Sequence, residues 1–242
     1  MYWFETADTI IDGVGFNYFD ATHIFWIVAC VLFVIFSSFI YSRSNPVKRD
    51  KIRKGFAIAI ILDELFKIFV LSVGGNYGVE YLPLHLCSIN IFIIAYHVYK
   101  PNKMLDNFLY AVCIPGALAA LLAPTWVELP ICSFMHLHSF TIHILLVTYP
   151  IMLVVGKDIV PNIKEFPKCL LFTFLLAIPI YFVNLVCDTN FMFLMYAEVG
   201  NPLLLFEDLF GWHLLGVPVI EGIVLIILYT PFHIYRKIKA KS

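Results

Sequence analysis

The sequence predicts an all-α membrane protein, a bundle of seven transmembrane helices with its N-terminus outside and its C-terminus in the cytoplasm, and three observations carry that expectation. Hydrophobic residues make up 61% of the chain and mean hydropathy is +0.88, well above the roughly 45–50% apolar share of a soluble domain. Seven stretches of about 20 apolar residues recur along it, each long enough for a hydrocarbon core of roughly 30 Å. The net charge of -1 conceals a strict alternation of acidic and basic connecting segments. No soluble domain, repeat or low-complexity tract interrupts the pattern, so residues 1–242 read as one transmembrane domain.

The opening MYWFETADTIIDG lacks a basic segment before its apolar run, so the first helix is expected to act as its own insertion signal. The stretches follow at 22–42, 55–73, 81–99, 105–124, 137–155, 167–187 and 212–235. A short glycine-bearing turn, GGNYGVE, makes the second and third antiparallel neighbours. Basic residues cluster after the first stretch (Arg43, Lys48, Arg49, Lys51, Arg53, Lys54), in alternate loops (Lys100, Lys103, Lys157, Lys164, Lys168) and in the tail (Arg236, Lys237, Lys239, Lys241), fifteen of the sixteen Lys and Arg. The other loops carry Glu5, Asp8, Asp12, Asp20, Glu80, Glu128, Asp188, Glu198, Glu207 and Asp208. Basic residues mark the cytoplasmic side, so the termini fall on opposite sides and the span count is odd. A basic rim of this kind follows from insertion and gives no nucleic-acid footprint.

Polar residues inside the spans are costly and mark cavities, partners or chemistry. The third stretch carries His85, Cys87, Ser88 and Asn90. At about 100° per residue Cys87 and Asn90 share one helical face, while His85 and Ser88 fall on a nearly opposite one, which predicts a central helix with His85 pointing away from Cys87. Cys87 is expected about five residues, or roughly 7–8 Å, below the outer end. His143 is expected at similar depth in the fifth helix, below Ser139 and His136 on one polar stripe. Tyr181, Asn184 and Asp188 form a second stripe, and His23 and His213 open the first and seventh helices. Six of eight histidines (His23, His85, His136, His138, His143, His213) thereby gather in the outer half. Deeper lie Asp63, Glu64, Lys67 and Glu221, either an ion-paired packing element or the charged floor of a cavity. The apolar outer segment 188–211 reads either as a lid over the bundle mouth or as a packed loop.

Six cysteines show no CxxC or zinc-knuckle spacing and read mainly as small buried apolar residues, with Cys87 as the one to argue. The entry at His23, LPLHLCS at 82–88, the histidine-rich start of the fifth helix with His143, and VNLVCDTNFMFL at 183–194 resemble the bacterial YwaF-like integral membrane family. That family is more distantly similar to the eukaryotic transmembrane protein 164 family, a cysteine-centred lipid acyltransferase. The resemblance covers all seven stretches and implies a thiol acyl acceptor at Cys87, a base at His143, and residence in a bacterial plasma membrane.

A thiol with a base, beside hydrocarbon, suits acyl transfer. Three readings stay open. The first is a phospholipid acyltransferase working through an acyl-thioester on Cys87 with His143 as base, and Asn90, Asn184 or Asn190 as donors to the oxyanion. The second is a small-solute or proton-coupled transporter or receptor whose cavity is lined by His23, His85, His138, Ser139, Asn90, Asn184 and Asn190, with Glu64 and Glu221 as proton-sensitive groups. The third, a metal site at His136, His138 and His143, is disfavoured because HxH spacing turns successive ligands about 200° apart on a helix. No cofactor is implied. The expected partner is a phospholipid or lysophospholipid, and oligomeric state is left open.

Overall fold

The computed structural model describes the backbone of residues 2–197, 201 and 203–239. Glu198 and Lys241 of the charge pattern lie outside the described residues, as do the side chains of Arg236, Lys237 and Lys239. Among the described residues the chain is all-helical: α1 (Ala21–Arg43), α2 (Pro46–Gly74), α3 (Leu86–Tyr99), α4 (Lys103–Leu122), α5 (Phe134–Val155), α6 (Phe166–Cys187), the short α7 (Leu204–Phe210) and α8 (Gly216–Lys239). Five of these, α1, α4, α5, α6 and α8, are long and apolar enough to cross a membrane. The remaining two expected spans differ for local reasons. The apolar run of α2 is interrupted by Asp63, Glu64 and Lys67, and α3 has only 14 residues.

The shortness of α3 corrects the expected start at residue 81. Pro83 has no N–H and crowds the residue before it out of the helical region. Accordingly Leu82 sits at φ -58°, ψ 142°, His85 is the extended N-cap at φ -65°, ψ 151°, and the helix begins at Leu86. Cys87 is therefore in the first turn rather than five residues down, and the helical-wheel placement of His85 does not apply.

Other boundaries follow ordinary capping chemistry. The Asp20 carboxylate accepts hydrogen bonds from Asn17 N and His23 N at 2.9 Å and caps α1. Those bonds hold its carboxyl below the ordinary carboxylate value, with Asn17 contributing most. Asn45 caps α2 ahead of Pro46. Gly75 ends α2 at φ 75°, a left-handed conformation that suits glycine. Within α4 the residues Leu109–Cys113 form a π-turn. Pro115 lies just beyond it and cannot donate to a carbonyl of the preceding turn, which accounts for the widened ladder.

The hub of the bundle is α5, not α3. It packs against α1, α2, α3 and α4, and 67% of its apolar window is buried, against 22% for α1. By contrast α3 buries Asn90, Ile91, Ile94 and His97 and leaves Phe92, Tyr96 and Tyr99 exposed. The α1–α5 seam contains Trp26 stacked on Phe140, centroids 4.9 Å apart. It closes where Gly156 meets Tyr41, whose ring would stand 2.7 Å from any Cβ placed there.

The two ends of the bundle differ in charge, as the loop pattern requires. One end joins the N-terminal segment to the α2–α3 and α4–α5 connections, through Asn76 Nδ2 to Phe4 O at 2.9 Å, Phe134 N to Trp3 O at 3.1 Å and Phe16 N to Val127 O at 2.8 Å. The other is tied by Arg49, which donates to the carbonyls of Tyr41, Ser42, Ser44 and Gly156 and to the Asp158 carboxylate at 2.9 Å. Tyr41 Oη donates to the same carboxylate.

Candidate functional site

At the acidic end α2, α5 and the N-terminus of α3 meet in a polar cluster. Asp63 Oδ2 lies 2.8 Å from His138 Nδ1, and the other nitrogen of that ring, Nε2, approaches Glu64 Oε2 at 3.9 Å. Glu64 Oε1 pairs with Lys67 Nζ at 2.6 Å, and Lys67 donates to Tyr81 O at 3.1 Å. Glu64 and Lys67 are 4% and 5% exposed, so the expected intrahelical ion pair exists, extended by a histidine from the hub. His85 stands within electrostatic range of Lys67, and His143 within range of both His85 and His138. Among the described residues no group of three metal-ligating side chains forms a metal site.

His143 and Cys87 are the two members of this region with open chemistry. The Nδ1 of His143 lies 2.6 Å from Ser139 O. A carbonyl accepts only, so Nδ1 carries the proton and Nε2 presents a lone pair. No protein group among the described residues bonds that nitrogen. The indole of Trp126 stacks on the ring at 5.2 Å and 15°, which fixes its plane. Trp126 Nε1 is itself buried without an acceptor. Cys87 is half-buried, packs against the apolar core and stands within electrostatic range of Cys113 in the π-turn. His85 caps α3 without a side-chain bond to it, and the first helical bond is Ile89 N to His85 O at 2.9 Å. The N–H groups of the first turn, where Cys87 sits, thus have no intrahelical acceptor. One turn on, Asn90 is 2% exposed, and its amide oxygen has no donor among the described residues.

The other expected lining residues are committed elsewhere. His23 accepts Phe19 N at Nδ1 (2.9 Å) and donates from Nε2 to Leu121 O (2.8 Å), bracing α1 against the end of α4. His136, expected on one stripe with His143, instead accepts the Trp26 indole N–H at 2.9 Å and donates to Leu129 O at 2.9 Å. Asn184 holds the following segment by donating to Phe191 O at 3.0 Å and accepting from Phe191 N at 2.9 Å. Asn190 does the same for Tyr196 O and Met195 N, each at 3.1 Å. Each amide thus serves first to hold the segment that follows it. Glu221 is half-buried on α8 with no ion-pair partner among the described residues. The apolar grooves also lie elsewhere, one on the face of α1 along Leu32, Phe36 and Phe39, the other between α1, α2 and α5 at Phe33, Phe56 and Leu145.

The segment after α6 is tied to this end of the bundle. Asp188, Met192 and Phe193 adopt left-handed φ of 53°, 58° and 53°. Met192 N donates to His85 Nδ1 at 3.3 Å, the rings of Phe191 and Phe193 pack on His85 at 5.3 and 5.6 Å, and His213 bonds Phe193 O at 2.8 Å. Residues 191–193 thus cover the N-terminus of α3.

Sequence reading missed three features. Trp126 follows Pro124 in a linker, and only its aromatic character signals it. The Asp63–His138 pair joins two helices and has no local signature. The third, at the opposite end, is a buried line in which His97 bonds Asp106 Oδ1 at 2.8 Å and Tyr149 Oη at 2.9 Å.

Apolar helices bundled about a buried polar cluster define a multi-pass α-helical membrane protein. The family model for the TMEM164 family matches residues 18–229, and the chain belongs to that family. No curated protein and no solved structure matches it.

Proposed function

We infer that this protein is a cysteine-dependent acyltransferase of membrane phospholipids, with Cys87 as nucleophile and His143 as base. The observation that supports the reading is a histidine on α5 whose tautomer leaves Nε2 open as a base, in a bundle whose α3 carries a thiol in its first turn beside backbone N–H groups without an intrahelical acceptor. A thiol in apolar surroundings stays protonated unless a base stands by it, and a helix N-terminus favours developing negative charge. In the first step His143 Nε2 takes the thiol proton, sulfur attacks the ester carbonyl of a phospholipid, the C–S bond forms, and the C–O bond breaks. The leaving alkoxide takes the proton back from His143 and departs as lysophospholipid. In the second, the hydroxyl of an acceptor lysophospholipid gives its proton to His143 and attacks the thioester, restoring the thiol. The first-turn N–H groups and Trp126 Nε1 are the donors for the oxyanion, in place of Asn184 and Asn190.

Seven spans with the N-terminus outside, the cell membrane of a bacterium, and the YwaF-like branch complete this reading. Charge segregation between the two ends supports the orientation. Cysteines introduced near Gly75 and near Lys51 test it: a membrane-impermeant maleimide should label the first in sealed cells and the second only after permeabilisation. Labelling of both from one side overturns it.

For the chemistry, wild type, Cys87→Ala and His143→Ala are purified, checked for folding, and followed by mass spectrometry for acyl exchange between phospholipid and lysophospholipid. Loss of the nucleophile should lower exchange by several orders of magnitude; full exchange by Cys87→Ala sinks the mechanism. A proton-coupled transporter is the second reading, favoured by the buried Asp63–His138–Glu64–Lys67 network, and absence of exchange in wild type would turn to it.

A further inference from the structure

Toward the basic end, away from Cys87 and His143, an apolar groove of α1 and α2 runs out onto cations that no carboxylate claims. The groove has two joined parts. One lies on α1 over Leu32, Phe36 and Phe39; the other is a recess of about 250 Å³ between α1, α2 and α5, lined on α2 by Ile52, Gly55, Phe56 and Ala59. Phe33 lines both, and its ring meets that of Phe56 at 6.2 Å. Along α1 the lining reaches from Ala29 to Phe39, about 15 Å at the rise of a helix. That is one leaflet of a hydrocarbon core roughly 30 Å thick. Gly55 keeps the recess open, because a Cβ there would meet nothing within 4 Å.

Residues four apart on a helix lie one above the other. Ile52 and Phe56 therefore continue a column that begins at Lys48, and Gly55 and Ala59 continue one that begins at Lys51. On α1 the column through Phe39 ends at Arg43, whose guanidinium lies 4.2 Å from the centre of the Phe39 ring. These three cations are exposed, and only Ser44 and Asn45 separate α1 from α2, so they share one rim. The nearby carboxylates are already engaged: Asp50 by Lys54 at 2.7 Å and Arg53 at 3.5 Å, Asp158 by Arg49 at 2.9 Å. Hydrocarbon below and unpaired positive charge above match a ligand with an apolar chain and a net negative head. A zwitterionic head brings its own cation and gains less from such a rim.

We propose that this groove binds one anionic phospholipid of the leaflet at the basic end, with an acyl chain over Gly55 and along Phe33 and the phosphate among Arg43, Lys48 and Lys51. The site is distinct from the thiol and stands independently of the acyltransferase reading. Because only 22% of the apolar window of α1 is buried, a chain wedged between α1 and α2 adds packing that the protein alone lacks, and its binding raises the melting temperature.

Full-length protein in detergent is offered phosphatidylglycerol and phosphatidylcholine with identical acyl chains, and native mass spectrometry counts the lipids retained. Wild type should saturate at one phosphatidylglycerol per chain and prefer it by about tenfold to a hundredfold, since each cation near a membrane surface is worth about fivefold. Lys48→Gln/Lys51→Gln should lower that preference by about tenfold or more. Lys100→Gln/Lys103→Gln removes the same charge from the α3–α4 connection, which lines no part of the groove, and should leave the preference intact. Gly55→Leu fills the recess and replaces a mid-helix glycine by a better helix former. It should melt no lower than wild type without lipid and lose retention of both lipids by at least tenfold. Equal retention of the two lipids by wild type overturns the proposal, as does an equal loss in the two lysine pairs or wild-type retention by Gly55→Leu. A lipid-free dimer that Gly55→Leu dissociates would give the groove to a second copy of the chain and overturn it as well. Should Gly55→Leu fail to fold, the lysine pairs decide, since all four side chains are exposed.

Discussion

His97 and His143 belong to opposite ends of one bundle and differ in how their ring nitrogens are used. His97 is 1% exposed and has both nitrogens engaged, by Asp106 and Tyr149, so it cross-links α3, α4 and α5 and has no valence left. His143 spends one nitrogen on the Ser139 carbonyl, is held flat by Trp126, and keeps the other open. Arg49 repeats the contrast at the basic end, where its guanidinium is surrounded by four carbonyls and a carboxylate. At the acidic end Asn90 and Trp126 retain unmatched atoms. Burial alone does not separate a structural polar residue from a chemical one, and neither does one unmet hydrogen bond, since Arg53 Nε and Ser38 Oγ are also buried without a partner among the described residues.

The sharpest way to break the contrast is to remove each histidine. His143→Ala should lower acyl exchange per folded molecule by about a hundredfold to ten-thousandfold, the usual weight of a general base, with little change in thermal midpoint. His97→Ala should do the reverse, keeping exchange per folded molecule while leaving Asp106 and Tyr149 unpaired at a cost of about 2–4 kcal/mol. Circular-dichroism melts and exchange assays on the same preparations read both, and equal rate losses in the two variants would erase the distinction.

Lys67→Met divides the acidic end itself. Removing one partner of a buried pair costs about 3–5 kcal/mol, so the variant should melt early because Glu64 is left uncompensated, yet its folded fraction should still form the Cys87 thioester. A folded variant with normal stability would show that the Glu64–Lys67 pair does not brace the bundle. The smallest effect is expected at Asp50, on the exposed start of α2. The Lys54 ammonium holds its carboxyl below the ordinary value. A lowered carboxylate contributes at neutral pH and loses that contribution as pH falls through its folded value. Because the pair is exposed and screened by solvent, Asp50→Asn should leave the melting midpoint at pH 7 unchanged within error.

Against these contrasts, the apolar stretches and the charge alternation were legible because each depends on composition within a window. Cys87 and His143 were legible as a thiol and an imidazole at similar expected depth. The start of α3 was misread although Pro83 announces it: hydropathy does not register a missing N–H. The central role of α5 was also unreadable, since polar residues on two faces of the third stretch turned out to serve an N-cap and a loop contact as well as the interior. His23 and His136 looked like cavity lining because a sequence shows a histidine but not the carbonyl or indole that satisfies it. The partnerships of His138 with Asp63 and of His97 with Tyr149 arise only when distant segments meet.

The π-turn at Leu109–Cys113 has a consequence for how α4 tolerates insertions and deletions. Below it Asn107 accepts a hydrogen bond from Asn162 N at 2.7 Å; within it Cys113 donates to Leu146 O at 3.5 Å; above it Ala117 and Leu121 enter the core. A π-turn holds one residue more than the α-helical turn it replaces, so it works as a phase adjuster, letting both halves of α4 present the required face. Excising a single residue there would restore a regular ladder with the halves still nearly in phase, whereas a one-residue deletion elsewhere between Asn107 and Leu121 would twist them by about 100° relative to each other. In α4, rotational phase rather than length is the quantity the fold holds fixed.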